Sequence, residues 1–177
     1  MTVISLQEVK AAVFYDPETG IFSWPASLKN QWAGQSAGTL EKKGYLQITV
    51  NGRRFKAHRL AWFYMTGQWP KHQIDHVNGA KADNRFRNLR EATNAENKRN
   101  AKRRADNTSG YKCVHWAKAV NKWAVAVKFP GAKLQTKCGY FANLADAVRC
   151  ANYNIAFSHG AFAVLNPICE PMEGIAV

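Results

Sequence analysis

Residues 72–97 read HQIDHVNGAKADNRFRNLREATNAEN, and this stretch decides the fold. Ile74 between polar neighbours suits a short strand, and VNGAKADNR (77–85) has the composition of a loop. Leu89 to Ala92 reads as a second short strand. Thr93 and Glu96 then form a T-x-x-E capping box, so a helix begins near residue 94 with Asn97 one turn inside it. Adjacent side chains on a strand point to opposite faces, so Asp75 and His76 serve one site only if the strand bends as it enters the loop.

Strand, loop, strand and helix, with Asp75 and His76 on the first element and an amide on the last, make a compact metal-site geometry suited to phosphodiester hydrolysis. A hard divalent ion prefers oxygen ligands. The Asp75 carboxylate and the Asn97 carbonyl oxygen supply two, leaving room for water and phosphate oxygens, which points to Mg²⁺ with Mn²⁺ as a substitute. A neutral His76 can take a proton from the attacking water. An isolated Asp-His pair carries little weight; here it stands with Asn88, Asn97, the capping box and a basic surround.

Upstream, Ser5 and Glu8 form another capping-box pair, and Leu6, Val9 and Val13 share a helical face, predicting a helix over 6–14 that the turn-rich Asp16–Gly20 stops. A short strand is expected at 21–24. GYLQITV and RRFKAHRL flank Asn51-Gly52, so a β-hairpin spans 44–57, followed by an aromatic-rich helix over 58–66 closed by Gly67. Trp62, Phe63 and Tyr64 read as core. His58 reads first as a packing or capping residue, and His72 and His159 as surface residues.

Downstream, Asn107–Gly110 reads as a linker. Three strands (111–116, 122–129, 134–141) precede one helix over 144–158, capped by Asn143 and ended by Gly160. Trp123, Val125, Val127 and Phe129 alternate with Lys122, Ala124, Ala126 and Lys128, giving one apolar face for the helix to cover and one open face carrying both lysines. Trp116 is ambiguous between packing and contact with a sugar-phosphate backbone.

Across the 177 residues, 25 Lys and Arg oppose 12 Asp and Glu, a net charge of +13. The surplus concentrates in 58–110, where 11 basic residues face 5 acidic ones. Phosphate neutralisation with counterion release makes nucleic acid the natural partner. Lys98, Arg99 and Arg103, beside the metal helix, read as phosphate contacts or as a solvated helix face; Arg90 reads as a phosphate contact or an ion-pair partner. No apolar run approaches the length of a membrane span and no signal-peptide pattern opens the chain, so a cytoplasmic protein is expected. The spacing of Cys113, Cys138, Cys150 and Cys169 matches neither a zinc knuckle nor a disulfide framework.

HRLAWFYMTGQWPKHQIDHVNGAKADNRFRNLREATNAENKRN (58–100) resembles the HNH, or ββα-metal, endonucleases of phages and homing introns. The resemblance implies that His76 is the general base and Asp75 a metal ligand. It places the middle Asn, which holds the loop, on Asn88, and the last motif position on Asn97, where many relatives have His. Residues 107–166 resemble the APETALA-two type DNA-binding domain of plant ethylene-response factors, which lays a three-stranded sheet in the DNA major groove. The implied groove-facing set is Lys112, His115, Lys118, Lys122, Lys128, Gln135 and Lys137; Cys113 stands where that family usually has Gly, and Lys largely replaces guanine-reading Arg.

The expectation is an α+β chain: a leader of helix and β-hairpin (1–57), an HNH ββα-metal nuclease (58–106), a small three-stranded antiparallel sheet packed on one helix (107–166) and a tail (167–177). Its expected activity is metal-dependent cleavage of double-stranded DNA, nicking as a monomer or cutting both strands as a homodimer, with no membrane partner. The rival readings are a non-catalytic DNA-binding regulator that uses the ββα unit as scaffold, and an RNA-directed nuclease.

Overall fold

The computed structural model describes residues 4–27, 31–100 and 107–168, apart from the side chains of Arg99 and Asn100. Arg103, the Arg99 side chain and most of the expected tail lie outside the described residues. The chain is α+β and divides into two compact units, Met1–Asn97 and Lys98–Val177.

In the first unit, helix α1 (Leu6–Ala12) starts at the expected capping box, with both the Ser5 and Glu8 bonds formed. It ends earlier than the hydrophobic periodicity predicts. Val13 is extended, and Phe14–Tyr15 (β1) pairs antiparallel with Phe22–Ser23 (β2). The Asp16–Gly20 turn is therefore a hairpin turn as well as a helix stop, because pairing with β2 outweighs one more helical turn. Strands β3 (Thr39–Leu40), β4 (Leu46–Val50) and β5 (Arg53–Lys56) form a second sheet in that order. Asn51 and Gly52 take positive φ, 47° and 75°, as their hairpin turn demands.

Helix α2 (Ala57–Thr66) closes at Gly67, whose φ of 72° caps it. Strand β6 (Gln73–His76) pairs antiparallel with β7 (Leu89–Ala92), and α3 (Asn94–Asn100) follows the Thr93/Glu96 capping box. One core joins Val9, Tyr15, Phe22, Ile48 and Leu60 to Ile74 and Leu89, so residues before 57 and residues of the ββα segment share a hydrophobic interior. Phe63 stacks on Trp69 at 4.3 Å within it.

In the second unit β8 (Val114–Ala117), β9 (Lys122–Val127) and β10 (Thr136–Phe141) form an antiparallel sheet in the order β10-β9-β8. Helix α4 (Leu144–His159), capped by Asn143, covers the face carrying Val114, Val125 and Val127. A register shift between Lys137 and Gly139 changes the phase of β10. Lys137 and Tyr140, three apart, consequently both project on the open face, opposite Ala126 and Ala124, with the Lys137 ammonium 4.8 Å from the Tyr140 ring centre.

The first strand of this unit begins later than the predicted 111–116. Cys113 sits at φ 64°, a left-handed conformation that favours glycine and interrupts extended structure. Asn166 clamps the preceding backbone, accepting from the Lys112 N–H at 2.6 Å and donating to its carbonyl at 3.1 Å. Lys112 thus belongs to a pinned turn, and its Nζ is buried without a hydrogen-bond partner. This corrects the expected groove-facing role of Lys112. Burial also pulls its pKa below the ordinary lysine range.

Candidate active site

The β6–β7 ladder runs in step from Gln73↔Ala92 to His76↔Leu89. Gln73 and Asp75 therefore share one face of the ribbon, while Ile74 and His76 share the other. The chain turns only after His76, where the Gly79 N–H donates to the His76 carbonyl at 2.9 Å. The bend expected between Asp75 and His76 is absent from the ladder, and the two side chains have different neighbours.

Asp75 lies directly across from Arg90, and both the Nε and the Nη2 of Arg90 donate to Asp75 Oδ2, at 2.9 and 2.8 Å. The ion pair read as one alternative for Arg90 is the arrangement present. On the same face, Asn97 Nδ2 donates to Gln73 Oε1 at 2.5 Å, which ties α3 to the Asp75 side of the ribbon. A divalent cation in this region would draw on the Asp75 carboxylate and the Asn97 carboxamide oxygen. Among the described residues no group of three or more His, Cys, Asp and Glu is placed to hold a metal. Two oxygen donors without a nitrogen or sulfur cluster fit a hard ion that keeps much of its water, and do not fit structural zinc.

His76 is buried, and its Nε2 lies 3.4 Å from Asn84 Oδ1. A proton shared with that acceptor sits on Nε2, which makes Nδ1 the basic nitrogen. Burial pushes the imidazole below its ordinary pKa, opposed by the Asn84 bond and by the charge of Asp75. Two further rings lie beside it: the His58 ring centre is 5.1 Å away and the Tyr45 ring centre 6.2 Å.

Asn88 spends both ends of its carboxamide on the loop between the strands. Its Nδ2 donates to Asn78 Oδ1 and to the Asp83 carbonyl, and its Oδ1 accepts from the Asn78 N–H. Asn88 therefore braces the loop. Asp83 is chelated by Arg85 and receives a bond from Asn78, contacts that hold its carboxyl far below the usual range. Asn84, beside it, carries its own bracing: Nδ2 donates to the Ala82 carbonyl at 3.1 Å, and its backbone carbonyl accepts from the Tyr15 hydroxyl.

Of the predicted DNA-contacting residues, Lys98 is exposed on α3. In the second unit His115, Lys122 and Lys137 lie on the open sheet face by register, and Lys118, Lys128 and Gln135 are exposed at or beside strand ends. Sequence reasoning did not single out Tyr45, and it read His58 first as a packing or capping residue. Their convergence on His76 depends on contacts across distant segments, which no local spacing signals.

Residues 55–99 match the HNH endonuclease family. The chain is 35% identical to Protein 3.8 of Escherichia phage T7 over 91 residues, which cover 51% of this chain and 73% of that protein. This protein belongs to the HNH endonuclease family. A solved structure describing DNA binding and cleavage by the HNH homing endonuclease I-HmuI aligns over 90% of this chain and 91% of its own, at 20% identity and a TM-score of 0.43. No helix among the described residues is long and apolar enough to cross a membrane.

Proposed function

We propose that the protein is a divalent-metal-dependent endonuclease of duplex DNA, of the phage or homing type, acting in the host-cell cytoplasm. The observation that carries this reading is His76. Its ring is buried at the end of β6, is bonded through Nε2 to a braced asparagine, and is kept less basic than an ordinary histidine. A neutral imidazole with one nitrogen occupied and its ring plane held is suited to general-base work.

In the proposed reaction a water oxygen bonds to phosphorus, one phosphoester P–O bond breaks, and His76 accepts the proton from water. Asp75 and Asn97 would hold the metal ion, which when bound supplies charge stabilisation at the phosphate and leaving oxygen. Arg90, already bonded to Asp75, would keep that carboxylate oriented. Asn88 acts through the loop that presents Asn84. Lys98, Arg99 and Arg103 would contact phosphates. The second unit is proposed to act as an APETALA-two type module that lays His115, Lys118, Lys122, Lys128, Gln135 and Lys137 against the major groove. One such site cleaves one strand, so a monomer nicks and a homodimer is needed to cut both.

The test is incubation of supercoiled plasmid with the full chain and Mg²⁺ or Mn²⁺. Relaxation by wild type and none by His76→Ala, with DNA binding retained, is the expected result. Binding without cleavage in any divalent ion would favour the regulator reading, to which the Arg90–Asp75 pair lends its own support because it occupies the carboxylate. Competition between DNA and RNA duplexes separates the RNA-directed reading.

A further inference from the structure

His58 stands next to His76 and has no part in the reaction as described above. It is the second residue of α2, it is 8% exposed, and its Nδ1 is buried with no hydrogen-bond partner. Its ring meets that of His76 nearly at a right angle, 77°, with centres 5.1 Å apart. The Tyr45 ring centre is 5.2 Å from that of His58 and 6.2 Å from that of His76, so the three rings form one cluster. Tyr45 is itself held, with the Lys81 ammonium 4.9 Å from its ring centre and the same ammonium bonded to the Lys43 carbonyl. A ring supported from the turn before β4 thus packs against both histidines.

Plain packing does not account for an imidazole here. A phenyl ring fills similar space and leaves no buried nitrogen unsatisfied, so the histidine costs stability relative to its hydrocarbon counterpart. Burial, with the His76 charge next, lowers the His58 pKa to about 3, so the ring is neutral at physiological pH and sets no charge against its neighbour.

We propose that His58 is a positioning residue: packed against both Tyr45 and His76, its imidazole fixes the ring plane of His76 and thereby keeps Nε2–H on Asn84, the tautomer needed for proton transfer. This rests on the nuclease reading, and the experiment below separates the two. The expected pattern couples activity and stability in opposite senses. His58→Phe should be at least as stable as wild type yet nick about threefold to tenfold more slowly in kcat, and His58→Ala about thirtyfold or more slowly, both with KM for DNA unchanged. Nitrogen-15 spectra of the histidine rings should show His76 as a single Nε2–H tautomer in wild type and as a mixture in His58→Ala.

A His58→Phe protein that is both more stable and fully active would overturn the proposal. So would a His58→Ala protein whose His76 ring signals match wild type, since its lost activity would then reflect folding alone. If wild type fails to nick, the nuclease reading fails, and the ring spectra still report whether His58 orients His76.

Discussion

The Tyr15 hydroxyl donates to the Asn84 backbone carbonyl at 2.7 Å, joining residues 69 apart in sequence and fastening the acceptor of His76 to the β1–β2 hairpin. Gly20 in the same hairpin lies so close that a Cβ on it would stand 2.3 Å from the Arg85 nitrogen and 2.5 Å from the Asn84 carbonyl carbon. The Phe86 N–H donates to the Pro17 carbonyl at 2.9 Å. The first hairpin therefore forms one wall of the loop that holds the candidate base.

Gly20→Ala is expected to force that wall away from Asn84 and to strain a position at φ 74°. The loss should exceed about 2 kcal/mol, from backbone collision and left-handed strain together. Tyr15→Phe removes one buried hydrogen bond and should cost about 1 kcal/mol. Urea denaturation checks both, and a fully stable Gly20→Ala would show that the hairpin does not pack on the loop.

Asn84→Ala should lower nicking by about tenfold to a hundredfold while DNA affinity holds, because His76 loses the acceptor that fixes its tautomer. Asn84→Asp keeps an acceptor and should recover part of the rate. Single-turnover cleavage with labelled duplex measures each.

His58 carries a prediction for stability against pH. Its pKa of about 3 in the folded state lies below the unfolded 6.5, so between those values the unfolded chain binds the additional proton. Stability should be full above about pH 6.5 and fall on acidification, by up to about 1.4 kcal/mol per pH unit. His76 adds in the same direction. His58→Phe should flatten this slope, and a slope identical to wild type would contradict the burial of a neutral ring.

The open sheet face and the Lys112 turn should separate in salt titrations. Lys122→Ala or Lys137→Ala is expected to reduce the slope of log affinity against log salt by about 1, the signature of one lost phosphate contact. Lys112→Met should leave that slope unchanged and be neutral or stabilising, since it removes a buried, unpartnered ammonium. A lost phosphate contact at Lys112 would return it to the DNA-facing set.

At Cys113, φ 64° penalises a branched side chain. Cys113→Val should be about 1–2 kcal/mol less stable than Cys113→Gly, measured by thermal unfolding.

The amino-acid sequence by itself determined the elements whose causes are local. The Thr93/Glu96 and Ser5/Glu8 boxes start helices because both partners lie within one turn. Asn51-Gly52 makes a hairpin because both residues tolerate positive φ, and the alternation of β9 sets which face meets α4. Asp75, His76, Asn88 and Asn97 were legible as a set for the same reason, being close in sequence and chemically distinctive. Tertiary structure alone decided which of them touch. Arg90 pairs with Asp75 through the register of two strands, the Lys112 ammonium is buried where Cys113 turns the chain and Asn166 clamps it, and Lys137 shares a face with Tyr140 because β10 shifts by one residue. His58, Tyr45, Asn84 and Tyr15 reach the site from four separate segments. Periodicity reports which face of an element is apolar, whereas the partner across a fold depends on how those faces close on one core, and that has no local signature.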